Sequence, residues 1–170
     1  MSNPENTLVI ELKTGQVLIE LLPEVAPQHV ERVKALARAG EYDRVVFHRV
    51  IEGFMAQTGD IEFGDRDEGY NERRVGTGGS ELSDLPAEFS DVAFDRGVVG
   101  MARAQDPNSA NSQFFIMFED GHFLNGQYTV FGRVIAGMEH VDQIKRGNQD
   151  RNGTVTDPDG MIAVKVLADQ

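Results

Sequence analysis

The sequence predicts an all-β-dominated fold, a closed antiparallel β-barrel of about eight strands capped by two α-helices. Short runs of alternating apolar and polar residues recur along the chain, separated by Gly, Pro, Asn and Asp. Only two stretches carry a helical period, and they lie far apart. No strand–helix–strand alternation is present, which disfavours a doubly wound parallel sheet. The chain has 170 residues, which fit one domain spanning 1–170 with enough length for a sizeable core.

The first hairpin runs from Leu8–Leu12 to Val17–Leu22, with Thr14-Gly15-Gln16 as its turn and Pro23 as its end. Pro27 then opens a helix over Gln28–Arg38, as proline does at a first helical position. Val30, Val33 and Ala37 share its apolar face with Leu36 beside them, Glu31, Arg32, Lys34 and Arg38 face water, and Gly40 stops it. A second hairpin spans Phe47–Asp60 and turns at Glu52-Gly53. In register, Phe47, Arg49 and Ile51 share one side, while Phe54 and Ala56 lie opposite Met55 and Gln57.

Ile61–Val75 is dense in charge and Gly without an apolar period, and reads as a long solvated loop. Ser80–Asp95 has no assignable structure. Strands follow at Val98–Ala102, Gln113–Phe118 and Tyr128–Ile135, with a polar loop at Gln105–Asn111 and a turn at Phe123–Gly126. Gly137–Lys145 is a short helix with Met138, Val141 and Ile144 on one face. After a polar loop over Gly147–Gly160, Met161–Leu167 is the last strand, with Ile162, Val164 and Val166 on one face.

Composition excludes several function classes. The net charge of −12 argues against a nucleic-acid surface and against anionic membranes, which both need a basic face. The absence of cysteine removes disulfide scaffolds, thiolate metal sites and cysteine nucleophiles. His29, His48, His122 and His140 have no metal-ligand spacing, and no metal or cofactor is expected. Asp65–Gly69 lacks the acid spacing of a calcium loop, and no Lys-Ser or Lys-Thr follows Gly76-Thr77-Gly78-Gly79 to make a phosphate loop. Met1–Thr7 is polar and unlike a secretory signal, and no segment has the apolar length of a membrane span. The expectation is a soluble, cytoplasmic, monomeric protein. Asn152-Gly153-Thr154 matches a glycosylation sequon but reads as a turn.

What remains is an apolar set with polar groups embedded in it. Phe54, Met55, Ala102, Phe115, Phe123 and Leu124 supply hydrophobic wall, and Arg49, Gln57, Arg103, Gln113 and Tyr128 supply donors and acceptors. An Arg among apolar strand residues is either the partner of a buried carboxylate or a group aimed at a ligand. This composition suits a pocket for a peptide with an apolar side chain. Large strand residues such as Phe114, Ile116 and Phe131 argue for a filled barrel over a small-ligand carrier.

Several separated stretches, in order, resemble the cyclophilin family of peptidyl-prolyl cis-trans isomerases. They are Phe47–Ile51, Gly53–Asp60, Gly76–Gly79, Gly100–Ala104, Asn111–Ile116 and Val130–Val134, and the resemblance runs from about Leu8 to Leu167. It implies rotation about X-Pro bonds in support of protein folding. The implied partners are proline-containing peptides and unfolded or flexible protein segments. By position, Arg49 matches the family's catalytic arginine. Phe54, Met55, Phe115 and Leu124 match the walls of its proline pocket, and Gln57 and Gln113 its peptide-binding glutamines. Ala102, Arg103 and Ala104 match the segment whose backbone pairs with substrate. A non-catalytic peptide-binding module on the same barrel could dispense with Arg49 and Gln57, and the presence of both favours the isomerase.

The departures from the family pattern are specific. Phe123 stands where many eukaryotic members carry Trp, Tyr128 where they carry His, and Arg103 where they carry Asn, all resembling bacterial-type members. The Ile61–Val75 loop is longer than the eukaryotic segment there, and its position after the hairpin suggests an extended rim beside the groove. An indole N–H serves the drug cyclosporin as a donor in the family, and Phe123 lacks one. Weaker cyclosporin binding than in Trp-bearing members is therefore expected. A titration that finds equal affinity overturns this.

Overall fold

A computed structural model describes residues 3–170. Met1 and Ser2, part of the polar N-terminus and of the expected 1–170 domain, lie outside the described residues. In chain order the elements are β1 (Thr7–Leu12), β2 (Gly15–Leu21), α1 (Pro27–Arg38), β3 (Arg49–Ile51) and β4 (Met55–Thr58). Then come β5 (Val98–Met101), β6 (Phe114–Met117), β7 (Val130–Ala136), α2 (Met138–Val141) and β8 (Ala163–Val166). All eight strands join one antiparallel sheet in the order β3-β4-β6-β5-β7-β2-β1-β8.

The sheet curls but does not close, which corrects the expected closed barrel. Register irregularities at Leu18/Ile19 and Val99/Gly100 bend it. The end strands β3 and β8 share no ladder. The gap is crossed by the irregular segment before β8, through isolated bridges such as Arg49–Thr154 and Val46–Gly160. Single bonds join the two sides there, including Val50 N–H to Gly153 O (2.9 Å) and Gly147 N–H to Val50 O (2.8 Å). That segment is rich in Gly, Asn and Asp, which favour turns over a continuous strand.

Across β4, β6 and β5 the sheet is buried on both faces, and strand alternation sorts residues between two cores. Phe114 and Ile116 of β6 enter the interior core with Phe131, Leu8, Ile10 and Ile19. Phe115 and Met117 face the other way, into a second core with Met55, Phe94 and Leu124. The second hairpin obeys the same rule. Val50 and Ala56 point inward, whereas Arg49, Met55 and Gln57 lie on the outer side. Phe47 is buried with Val50 in the interior core, so it does not share Arg49's face as its spacing suggested. Regular strand begins only at Arg49. Phe54 sits in the turn, where its N–H bonds Ile51 O (3.0 Å) and Gly53 adopts φ +75°. The turn carries Phe54 to the same side as Met55, against the expected opposition.

Other boundaries shift for local reasons. Leu12 pairs with Gly15, so Lys13-Thr14 makes the first turn and Gly15-Gln16 begin β2. In α1, Arg32 is buried, contrary to the expected wet face. Its guanidinium donates to Ser83 O (2.6 Å) and Asn111 O (3.1 Å), tying down two loops that lack ladder partners. The N-cap of α1 is Ala26, which offers no side-chain acceptor. Glu88 replaces it, accepting from the N–H groups of Gln28 (3.3 Å) and His29 (3.0 Å), and so orders the unassigned 80–95 segment. α2 is confined to Met138–Val141, although Ile144 remains buried beyond it. Ile162 is 50% exposed and does not share the inward face of Val164 and Val166. Met161 bonds Val45 and Arg44 across the gap and is itself buried, which breaks the alternation before β8.

His48, between the interior core and β3, is 7% exposed, and its Nδ1 has no partner. Burial holds its pKa down at about 4, with Asp60 opposing and Arg49 reinforcing the shift. The folded state therefore binds this proton less readily than the unfolded chain, where the value is 6.5. The neutral ring's contribution is complete above pH 6.5 and is lost as pH falls toward 4, by on the order of 3 kcal/mol. Urea midpoints between pH 7.5 and 4.5 check this: His48→Gln is expected to flatten the decline. His29, also buried and shifted down, leaves a residual slope.

Candidate active site

The outer face of β3, β4 and β6 forms the floor of a cleft of about 1310 Å³. Its base is apolar: Met55, Phe115 and Leu124 are buried there, with Phe54, Ala102, Phe123 and Tyr128 around them. Phe115 is supported from below by Phe94, stacked at 5.7 Å and 21°. Gly100 makes this stack possible, because a Cβ there would come within 2.6 Å of Phe94 and 2.7 Å of Phe115. Tyr128 meets Phe115 edge-on at 5.9 Å. Phe123 is 68% exposed and leans on Phe54 at 5.4 Å, forming the lip of the cleft.

The opposite wall is polar and continuous. Arg49 pairs with Gln57 across the β3–β4 ladder, which brings Arg49 Nη1 to Gln57 Oε1 (3.1 Å). Gln57 Nε2 then donates to Gln113 Oε1 (3.0 Å), and Gln113 Nε2 to Gly76 O (3.0 Å) and Gly78 O (2.9 Å). On its other side, Arg49 donates from Nε to Asn152 O (3.0 Å) and from Nη2 to Asn152 Oδ1 (3.1 Å). Asn152 adopts φ +57°, which turns its carbonyl and amide toward the same guanidinium. Burial lowers the Arg49 pKa, and the nearby Tyr128 pulls the other way. Among the described residues no carboxylate lies within ion-pair distance of Arg49.

The relay is anchored by Asp60, whose carboxylate is wholly buried. Its Oδ1 accepts from the N–H groups of Glu62 (3.1 Å) and Phe63 (2.9 Å), and its Oδ2 from Gly76 (2.6 Å) and Gly78 (3.0 Å). One side chain thus pins both ends of the charged 61–75 loop. The loop folds over the cleft, and Tyr70, Asn71, Glu72, Arg73 and Val75 line it. The long loop is therefore a wall of the site.

Every residue singled out from the sequence reaches this region. Arg49, Phe54, Met55, Gln57, Ala102, Arg103, Phe115, Phe123, Leu124 and Tyr128 line the main cleft. Ala104 and Gln113 line an adjoining hollow of about 380 Å³ that shares Gln57, Ala102 and Arg103 with it. The 102–104 backbone is less available than the resemblance implied. Ala102 N–H already bonds Gln113 O (2.9 Å) and Ala104 N–H bonds Ser109 Oγ (2.9 Å). Arg103 lies over the Tyr128 ring at 4.5 Å and donates to Gln127 O (2.7 Å) and Ala104 O (2.9 Å).

Asp60 and Asn152 escaped the sequence reading. Asn152-Gly153 was legible as a turn, but no local signal points to a guanidinium 103 positions away. Among the described residues, Asp95, Asp120 and His122 could share a metal ion, yet all three are exposed and none lines the cleft. The His122 ring instead bonds Asp95 (2.7 Å), which raises the His122 pKa.

Comparison with known proteins agrees with this geometry. Residues 7–166 match the family described as cyclophilin type peptidyl-prolyl cis-trans isomerase/CLD. A probable peptidyl-prolyl cis-trans isomerase of Brucella suis is 60% identical over 168 residues, covering 99% of this chain and 86% of its own. The chain is also similar to a cyclophilin from Hirschia baltica, with TM-score 0.81, 27% identity and coverage of 99% of this chain and 76% of that one. A Cryptosporidium parvum cyclophilin type peptidyl-prolyl cis-trans isomerase, crystallised in the presence of the dipeptide Ala-Pro, matches with TM-score 0.80 and 27% identity over 94% of this chain and 98% of its own. On the family match, the close relative and the shared fold, this chain belongs to the cyclophilin-type peptidyl-prolyl cis-trans isomerases.

Proposed function

We propose that Arg49 is the catalytic residue of this isomerase and that the apolar floor of Phe54, Met55, Phe115 and Leu124 seats the proline ring, with Phe123 and Tyr128 at its edge. Gln57 and Gln113 orient the peptide, and the Arg103 N–H is the donor the 102–104 segment offers a substrate strand. The substrates are proline-containing segments of peptides and of flexible or unfolded proteins. The related Cryptosporidium protein, whose structure was determined with Ala-Pro present, supports this class.

The observation that carries the reading is the environment of Arg49. Its charge is half-buried beside an apolar floor and held by neutral oxygens of Gln57 and Asn152. Arg32 is likewise held by carbonyl oxygens but lies away from the cleft; Arg49 lines it, held in position with its charge left available. Three of its five N–H donors are engaged, leaving two for a substrate. Gln57 likewise keeps a second amide N–H beyond its bond to Gln113.

The chemistry matches these parts. The amide C–N bond resists rotation by about 18–20 kcal/mol because the nitrogen lone pair is delocalised. Rotation breaks no σ-bond, so it needs neither nucleophile nor proton transfer. It needs a site that favours the twisted amide over both planar isomers, which differ by only about 0.5–1 kcal/mol for X-Pro. In the twisted state the nitrogen regains its lone pair and accepts a hydrogen bond that the planar amide accepts poorly. The guanidinium donates that bond, while the apolar floor holds the ring and Gln57 holds a carbonyl on the rotating side. Removal from water strengthens each interaction at the moment it forms.

Arg49→Ala is expected to lower kcat/KM for an X-Pro peptide by roughly 100-fold or more, comparable to removing one donor aimed at developing charge. NMR exchange spectroscopy measures the rate and circular dichroism the fold; near-normal turnover on an intact fold overturns the assignment. Asn152 acts through Arg49 as a positioning residue. Asn152→Gly keeps the left-handed backbone and the carbonyl acceptor but deletes Oδ1. It is expected to lower kcat several-fold with KM nearly unchanged, because only the aim of the guanidinium loosens. A KM effect without a kcat effect would refute that role.

A further inference from the structure

We propose that this isomerase discriminates by charge, favouring X-Pro segments that carry Asp or Glu within a few residues of the proline. The inference rests on the peptide-binding reading of the cleft and adds a substrate class to it.

The chain carries a net charge of −12, yet its cleft has the opposite balance. Arg49, Arg73, Arg103 and Arg151 line it, against one carboxylate, Glu72. Elsewhere on the molecule Arg38, Arg44, Arg96, Arg133 and Arg146 form ion pairs with Asp or Glu, while Arg32 and Arg66 donate to backbone carbonyls and Arg74 lies over the Phe63 ring. None of those paired arginines lines the cleft. Conversely, among the described residues, none of the four cleft arginines has a carboxylate within ion-pair distance. Unpaired arginine is thus not confined to the cleft, but every cleft arginine is unpaired and a single carboxylate stands among the four.

The four charges also come from four separate parts of the chain. Arg49 is on β3, Arg73 on the long loop, Arg103 beside the adjoining hollow, and Arg151 in the turn that precedes Asn152. They line the same cleft as the apolar floor. Arg49 and Arg103 are fixed by neutral oxygens, so their charge stays unsatisfied without being mobile. Arg73 and Arg151 are exposed at the rim. A concave site with one sign of charge over an apolar base concentrates its field inward. An acidic side chain beside a seated proline gains an ion pair there, and a Lys at the same place meets repulsion. A general polyanion is a poorer fit, since a duplex needs a broad basic face that this acidic chain lacks.

The test uses the full chain and three peptides with a common Ala-Pro core flanked on both sides by Glu, Gln or Lys. NMR exchange is expected to rank kcat/KM as Glu above Gln above Lys, with Glu over Lys by roughly tenfold at low ionic strength. The ratio should shrink toward one at about 0.5 M salt, where screening acts within a few ångströms. The double substitution Arg73→Gln/Arg151→Gln is expected to cut the Glu-to-Lys ratio at least threefold, each protein being referenced to its own Gln peptide. Equal kcat/KM for the three peptides, or a ranking insensitive to salt, overturns the proposal while leaving the role of Arg49 untouched. Loss of all turnover would instead count against the catalytic reading. In that case the affinities of the same peptides, from amide chemical-shift titration, still decide the charge preference.

Discussion

The cleft's polar wall depends on a buried carboxylate that does not itself line the cleft. Asp60 takes four backbone N–H groups from the two ends of the 61–75 loop, and an ion so placed is stabilised by fixed dipoles instead of a countercharge. The consequences run outward in sequence. Gly76 and Gly78, held by their N–H groups, present their carbonyls to Gln113; Gln113 orients Gln57; Gln57 orients Arg49. Each amide in this chain has its oxygen and nitrogen assigned by its neighbours, so the guanidinium is aimed by a network and not by one contact. The loop looks like a tolerated insertion in the sequence, yet it is tied to the polar wall through its roots.

The second constraint is that the sheet is covered on both faces over β4, β6 and β5. A β-barrel with a wet exterior would alternate apolar and polar residues, but Phe114-Phe115-Ile116-Met117 is apolar throughout because inner and outer cores both claim it. The interior is filled by large side chains such as Phe114, Phe131 and Tyr42, the last donating its hydroxyl to Ser112 O (2.8 Å). The outer core is therefore where a ligand can be received. It is thin, built on Met55, Phe115 and Leu124 with Phe94 beneath, and its top layer is the cleft floor. Folding and the proposed proline binding draw on the same apolar side chains, which is why their hydrophobic pattern alone does not separate core from pocket.

Much of this was legible in the sequence, and the exceptions share a cause. Period-2 and period-3.6 patterns located the strands and α1, because they record local faces. They failed where a distant group decided the outcome. Arg32 lies on the charged side of α1 by spacing, yet two loop carbonyls draw it inward. Ile162 matches the alternation of β8, but the pairing of Met161 with Val45 resets the phase. Barrel closure was inferred from strand count, which says nothing about whether the last gap is crossed by ladder or by loop. Among site residues, those embedded as polar anomalies in apolar strands stood out, whereas Asp60 and Asn152 sit in turn-like sequence where Asp, Asn and Gly are ordinary. Their roles exist only after the chain has brought remote segments together.

Arg49 and His48 show what the arrangement costs the fold. Adjacent in sequence and both reaching the cleft, they sit where burial opposes charge, which lowers the pKa of each. His48 resolves the conflict by staying neutral, leaving Nδ1 without a partner. Arg49 cannot, since a guanidinium stays protonated across the accessible pH range. A carboxylate in the place of Asn152 would relieve it, and would also quench the charge that the proposed mechanism presents to the twisted amide. The neutral clamp is the compromise: it fixes direction while leaving the electrostatic demand unsatisfied. Buried Arg32 is also held by neutral oxygens, but it ties loops together, whereas Arg49 lines the cleft, and that placement is what supports the proposed role of β3.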